Sequence, residues 1–340
     1  MAKNKTVGFL GGKFLPFHLG HVYAIISASN YVDKLYVVLS SSENRERELC
    51  ERDGIKYIPA EVRLSWIGEN LNDLENIKII HIKDDAWDND YDWEAGANMI
   101  KKAINEPIDY VFSSETNYNE YFKKYYPDAK HIVINEGRDV VPISATDLRK
   151  NIYYNWEKLP LSVRSYFVKK VLVIGTESCG KSTLTKKLAK FYNTNYVHEV
   201  GRDYCVKYSN HLTSEMFNEI SMEHWLLQKK LIKESNKILF VDSDAVITQY
   251  YLDMYFNGSK SELIEEIVKI QNYDLVLFLE PDVKWVNDGI RFAGENEIRL
   301  KNNEKLKKMF NERKISFISI SGDYNERFIK SKKEIDKILK

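Results

Sequence analysis

The chain has 340 residues, 44% hydrophobic and 13% aromatic, enough for two packed domains of roughly 150–180 residues each. Lys+Arg and Asp+Glu both number 50, so the formal charge is zero, and no global field draws the chain to nucleic acid or to an anionic membrane. Three cysteines, Cys50, Cys179 and Cys205, odd in number and far apart, exclude a disulfide framework and a cysteine metal cluster and suit a reducing compartment. The residues before the first strand are too few for a signal peptide, and no apolar run approaches the ~18 residues of a membrane span, so a soluble, cytoplasmic protein is expected.

Taken in order, Thr6–Leu10 reads as a strand, Gly11-Gly12 as a turn, the stretch from Val22 as a helix and Lys34–Leu39 as the next strand. Strand, glycine turn, helix and strand in that order imply a parallel sheet with a ligand at the carboxyl ends of its strands. Further strands are expected at Ile77–Ile82, Tyr110–Ser113 and His131–Ile134, and helices near Glu61–Leu71 and Trp93–Ile104. The charge-dense stretch 43–58 is expected to be a mobile, solvated excursion, and Pro160–Lys170 a short polar connector. The expected boundary gives domains 1–165 and 166–340. In the second half, strands are expected at Val171–Ile174, Lys237–Asp242, Asp274–Leu279 and Ile315–Ile320, and a solvated amphipathic helix from Glu326. The fold class is α/β, with two parallel-sheet domains.

Two turns carry the chemistry. In Gly12-Lys-Phe-Leu-Pro-Phe-His-Leu-Gly-His21, His18 and His21 stand three apart where a helix begins, so both imidazoles share a face at an anion-favouring helix N-terminus. Gly20 leaves room for a phosphate chain, and Pro16 fixes the approach. The second turn, Gly175-Thr-Glu-Ser-Cys-Gly-Lys-Ser182, has the G-x-x-x-x-G-K-S spacing of a phosphate-binding loop between a strand and a helix. Gly175 and Gly180 let the backbone turn so that the N–H groups of Thr176, Glu177, Ser178 and Cys179 can point at phosphate oxygens. Lys181 supplies a point charge to the β and γ phosphates, the Ser182 hydroxyl is placed for Mg²⁺, and Thr183 opens the helix. Of Cys179 only the backbone N–H is expected to matter, though its thiol would be a handle for chemical inactivation.

The stretch Gly12–His21 resembles the H-x-G-H signature of the nucleotidyltransferase superfamily, and Ile143-Ser-Ala-Thr-Asp-Leu-Arg149 resembles the I-S-x-T-x-x-R signature of nicotinamide-mononucleotide (NMN) adenylyltransferases. Val111–Glu115 and Asp92-Trp-Glu94 are similar to the same family, and the second half resembles the ribosylnicotinamide kinase domain that follows it in NadR-type bifunctional proteins. The resemblance implies a Rossmann-like nucleotidyltransferase domain followed by a P-loop kinase domain. Ribosylnicotinamide and ATP would give NMN, and NMN and a second ATP would give NAD.

It also implies roles. His21 and Arg149 would stabilise the leaving pyrophosphate, with His18, Lys13, Gly12, Phe14 and Gly20 around the ATP phosphates, and Arg149 bridging two phosphate oxygens. Ser144 and Thr146 would donate hydroxyl hydrogen bonds; a capping Ser/Thr followed by a surface ion pair is the plain alternative. Trp93 would stack on the pyridinium ring, or pack in the core, and Arg138 is a further phosphate candidate. In the second half, Glu199 and Arg202 resemble the Glu and Arg around the nucleoside, Asp242 the acid that meets Mg²⁺, and Asp244 the acid that holds the ribose. Either Glu199 or Asp242 is the base for the 5′-hydroxyl. Arg291 and Arg299 would close as a lid, with Trp285 and Asp288 on the substrate; Asn287 stands where the family pattern has an acid. A flavin-type kinase and adenylyltransferase pair is disfavoured, because flavin kinases of that kind lack a P-loop. A kinase for a different nucleoside and an NAD-sensing regulator with residual activity stay open. DNA binding is not expected, since only five residues precede the first strand and the charge is neutral. No nucleic-acid or membrane partner is expected, and a homo-oligomer stays open.

Overall fold

The computed structural model describes residues 5–83, 92–283 and 296–340, and the chain divides into two compact units, Met1–Val163 and Arg164–Lys340. The first unit has strands β1 (Val7–Gly12), β2 (Lys34–Ser41), β3 (Ile77–Lys83), β4 (Tyr110–Ser113) and β5 (Lys130–Val133), all parallel, in the order β3-β2-β1-β4-β5. Leu35, Val37, Val38 and Leu39 of β2 have no exposed surface. A parallel sheet is covered on both faces, which is why β2 is an apolar run rather than an alternating one. The strand order reverses at β1, so a crevice opens at its carboxyl end, where the turn 13–18 leads into the helix Leu19–Ser29.

The second unit repeats the logic with β6 (Lys169–Gly175), β7 (Tyr196–Val197), β8 (Ile238–Asp242), β9 (Leu275–Leu279) and β10 (Ile318–Ile320), parallel in the order β10-β9-β6-β8-β7. Here β6 is central and its Val171–Ile174 are fully buried. Its register sets Val173 against Asp242 of β8 and Gly175 against Leu279 of β9, so the phosphate-binding loop emerges between two strand ends.

Two expectations are corrected. The stretch 43–58 is not a solvated excursion: Glu43–Arg52 is a helix that buries Glu46 and Cys50. Glu46 pairs with Arg63 of the helix Ala60–Leu71, both side chains without exposed surface. Of its charges Glu46 is buried in this pair, while Glu43, Arg47, Glu48, Glu51 and Arg52 stay on the exposed face of the helix. The connector 160–170 holds the helix Leu161–Phe167, whose Val163 is buried, and Trp156 before it is buried too. The C-terminal helix, Tyr324–Ile338, is the expected amphipathic helix, with Arg327, Ser331 and Ile335 on its inner face. Of the expected last strand, Ile318–Ile320 pairs with β9.

Removing one member of a buried ion pair leaves the other charge uncompensated, at a cost of about 3–5 kcal/mol, whereas replacing both by apolar side chains is far milder. Glu46→Met should therefore lower the melting transition of the first unit more than the double variant Glu46→Met/Arg63→Met. Calorimetry of the two would contradict the pairing if the double variant melted lower than the single one.

Candidate active sites

In the first unit the turn after β1 is held by its own histidines. His18 is the N-cap of Leu19–Ser29, and the His21 side chain reaches back to the His18 backbone N–H. The two imidazoles stack, centroids 3.6 Å apart, and His21 Nδ1 accepts the His18 backbone N–H at 3.3 Å. With Nδ1 accepting, the neutral His21 carries its proton on Nε2. Phe14 and Phe17 pack against the His21 ring. His18 is buried and its Nδ1 has no hydrogen-bond partner among the described residues. Burial, helped by the Arg138 charge, lowers the His18 pKa to about 3. Burial first, then His18 and Arg138, hold His21 well below the usual histidine range. The pair is therefore neutral near pH 7. Gly20 has a sharper role than room for phosphate: a Cβ there would stand 2.9 Å from the His18 ring, so only glycine lets the imidazole fold over the helix start.

A cavity of about 550 Å³ opens beside this turn, lined by Gly12, Lys13, Phe14, His21, Trp93 and Arg149 among others. It brings those six expected residues together; His18, Gly20, Ser144, Thr146 and Arg138 lie outside its lining. Arg149 is buried, and its guanidinium donates to Asp53 at 2.7 Å, to the Leu15 carbonyl at 2.7 Å and to the Thr146 hydroxyl at 3.1 Å. All three guanidinium nitrogens thus have protein partners, and the residue also lines the cavity. Its partner Asp53, which no sequence motif marks, is held at a pKa of about 2 by hydrogen bonds from Arg52 and then Arg149. Ser144 caps the helix Ala145–Lys150: its hydroxyl accepts from Asp147 N at 3.1 Å and donates to the Asp147 carboxylate at 2.6 Å. Plain helix capping describes it. Arg138 pairs with Glu115 at 3.0 Å on a neighbouring opening.

The cavity's far wall is aromatic. Trp93 opens the helix Trp93–Ile104, capped by Asp92, and stacks on Tyr121 with centroids 4.2 Å apart. Tyr118, Phe122, Tyr125 and Tyr126 complete the wall. None of these five was expected from the sequence, although their spacing at 118, 121, 122, 125 and 126 is a helical aromatic stripe.

In the second unit a cavity of about 340 Å³ is lined by Glu177, Ser178, Gly180, Lys181, Ser182 and Thr183 of the loop and by Glu199, Arg202 and Asp244 across from it. Gly175, at φ 148°, has Leu279 O and Cys179 Sγ each 2.7 Å from where a Cβ would stand, so the loop can leave β6 between these neighbours only as glycine. Lys181 donates to the Thr176 carbonyl at 3.0 Å. Burial opposes its charge, yet Cys179, Glu199, Asp242 and Glu177 hold its pKa above the ordinary value. Asp242 is buried with Oδ1 lacking a hydrogen-bond partner among the described residues, and burial together with Glu199 raises its pKa to about 6. Asp244 caps the helix Ala245–Tyr255 through Ile247 N and is raised by burial to about 7. Glu199, N-cap of Val200–Lys207, faces the cavity half-buried.

Cys179 is not a reactive handle. It is fully buried, its thiol donates to the Thr176 carbonyl at 2.9 Å, and burial raises its pKa. Arg299, on the helix Asn296–Glu312, donates to the Val283 carbonyl at 3.1 Å and lines a narrow cleft with Thr176 and Glu177. Trp285, Asn287, Asp288 and Arg291 lie outside the described residues. Phe217, Tyr251, Tyr255 and His224 also line the cavity, and no local spacing in the sequence marks them. Among the described residues there is no group of three or more His, Cys, Asp or Glu able to hold a metal and no helix long and apolar enough to cross a membrane.

The AAA domain family matches residues 170–327, across the second unit. Among solved structures, a NadR protein in complex with NR superposes with a TM-score of 0.81 at 24% identity over 99% of this chain and 97% of that one. Another, in complex with NAD and AMP-PNP, gives 0.80 at 23% over 99% and 96%. These likenesses establish the two-sheet fold. The trifunctional NAD biosynthesis/regulator protein NadR of Salmonella typhimurium (strain LT2) is 30% identical over 96% of this chain and 82% of its own. NadR of Escherichia coli (strain K12) shows the same identity and coverage, and at this identity over nearly the whole length the chain belongs to the NadR family.

Proposed function

We propose that the chain makes NAD in two ATP-dependent steps, one in each unit. The second unit phosphorylates ribosylnicotinamide to NMN, and the first joins the AMP part of another ATP to NMN with loss of pyrophosphate. The observation that carries this reading is that each unit has its own cavity at a glycine-bearing strand-to-helix turn. The two cradles differ in chemistry as the two transfers require.

In the kinase unit the loop N–H groups and Lys181 hold the ATP phosphates, and the riboside lies against Glu199, Arg202 and Asp244. Glu199 faces the cavity, whereas Asp242 is buried outside its lining and hydrogen-bonded to Ser182. This favours Glu199 as the base that takes the 5′-hydroxyl proton as that oxygen attacks the γ-phosphorus and ADP leaves. The orphan Oδ1 of Asp242, with the Ser182 hydroxyl, fits a Mg²⁺ ion; when bound, the ion neutralises phosphate charge.

In the adenylyltransferase unit an NMN phosphate oxygen attacks the α-phosphorus of ATP. No covalent enzyme intermediate is needed, so the protein's task is alignment and charge stabilisation. Neutral His21 offers Nε2–H, and Lys13 a full charge, to the departing pyrophosphate. Arg149, tied to Asp53 and Leu15 O, braces the turn that carries them. Trp93 and the tyrosines beside it supply a flat, electron-rich wall for the pyridinium, worth ~1–2 kcal/mol when desolvated.

Purified protein with Mg·ATP and ribosylnicotinamide should yield NMN and then NAD; a product assay finding neither would overturn the substrate assignment. Lys181→Ala should abolish riboside phosphorylation and leave adenylylation of supplied NMN intact. His21→Ala should do the reverse, slowing adenylyl transfer about 10²–10³-fold, the loss typical of one oxyanion-type donor. Loss of both activities in either variant would contradict separate sites. The neutral histidines also set a pH dependence. His18 has a folded pKa of about 3 against 6.5 for a free side chain, so the unfolded chain binds more protons between those values. The first unit should thus lose stability as pH falls below about 6.5, by up to about 1.4 kcal/mol per pH unit for each such histidine. His18→Gln should flatten that slope between pH 5 and 6.5; an unchanged slope in thermal melts would show that His18 is not buried neutral.

A further inference from the structure

Arg327 has 1% of its surface exposed, yet it stands on a helix rich in lysine and glutamate and lines neither cavity. Its guanidinium joins three backbone segments. Nε donates to the Gly322 carbonyl at 2.7 Å, one terminal nitrogen to the carbonyl of Cys179, and the other to the carbonyl of Glu280 at 2.8 Å and to the Asp282 carboxylate. Asp282 in turn accepts the Gly322 N–H at 2.6 Å. The end of β9, the turn after β10 and the phosphate-binding loop thus meet on one buried cation, and Cys179 is the loop residue immediately before Gly180 and Lys181.

The peptide between Cys179 and Gly180 is planar and trans, so its C=O and N–H point in opposite directions. A guanidinium that fixes the Cys179 carbonyl from behind turns the Gly180 N–H away from itself, and Gly180 lines the cavity in front. A charged donor on the carbonyl also polarises the amide, making that N–H a stronger donor, by about 10–30% per bond. We infer that Arg327 is a positioning residue of the kinase unit, aiming the Gly180 amide at the ATP phosphates by holding the Cys179 carbonyl. This deepens, and rests on, the reading of the second cavity as an ATP site. The selective pull falls on nucleotide binding, because the loop's other donors, Lys181 included, are not touched by Arg327.

The test uses the full chain with Arg327→Met, which keeps the bulk and removes every donor, and Arg327→Lys, which keeps one charged donor. In the riboside kinase assay Arg327→Met should raise KM for ATP about 10–100-fold, Arg327→Lys less, and adenylylation of NMN by the same preparations should be unchanged. A folded Arg327→Met with wild-type KM, or with reduced kcat alone, would overturn the proposal, since a merely structural role lowers the active fraction without moving KM. If Arg327→Met loses the melting transition of the second unit, Arg327→Lys decides: a raised KM with that transition intact supports the assignment, and a wild-type KM refutes it. ATP binding by equilibrium dialysis, taken as the difference from Lys181→Ala, reads the same loop whatever nucleoside it serves. Failure of the riboside assignment therefore stays distinguishable from failure of this one.

Discussion

The structure depends on fixing the backbone of two glycine-bearing turns, each beside a cavity where the proposed transfers place phosphate. A glycine-rich turn at a helix start is the natural anion cradle, but glycine also makes it floppy, and an isolated turn would not hold its N–H groups in one direction. The chain meets this with arginines placed behind the turns rather than in front of them. Arg63 donates to the Lys13 carbonyl at 2.6 Å, Arg149 to the Leu15 carbonyl at 2.7 Å, and Arg327 to the carbonyl of Cys179. Each is buried, and each is neutralised by a carboxylate: Glu46, Asp53 and Asp282. A lysine would not serve as well, because one planar guanidinium can reach a carboxylate and one or two carbonyls at once.

In front of these braces the two cradles use different charges. The first presents the neutral imidazole of His21, stacked on His18; burial, helped by Arg138, keeps both from protonating near pH 7. The second presents a charged lysine beside the carboxylates Glu199, Asp242 and Glu177, while burial pushes Asp242, and Asp244 on the same cavity, toward neutrality. The difference suits the proposed transfers. In the proposed kinase step a γ-phosphoryl group in flight must be neutralised, and the acids stand beside the lysine. The adenylyltransferase needs donors aligned on a leaving pyrophosphate, without a base.

Reading the sequence worked where chemistry is local. The turns Gly12–His21 and Gly175–Ser182, the strands that feed them and the acids at the end of β8 are contiguous patterns, each short enough for its spacing to force a geometry. It failed where a residue's meaning depends on a distant partner. Glu46 and Asp53 lie in a stretch whose charge density reads as solvent exposure, and only packing against Arg63 and Arg149 turns them inward. Ser144 and Arg149 were legible as a motif, but not that one caps a helix and the other clasps Asp53 and the Leu15 carbonyl.

What the amino-acid order decided alone was that there are two parallel α/β units, each beginning its cradle at a glycine turn, because strand and helix periods and backbone permissiveness act within about ten residues. What the tertiary structure decided was which charges are structural and which face a cavity. Arg327 is 148 residues from the loop carbonyl it holds, and no periodicity reaches that far. Burial sets the protonation of His18, Asp242 and Asp244, and burial is a property of the packed layers rather than of any local run of residues.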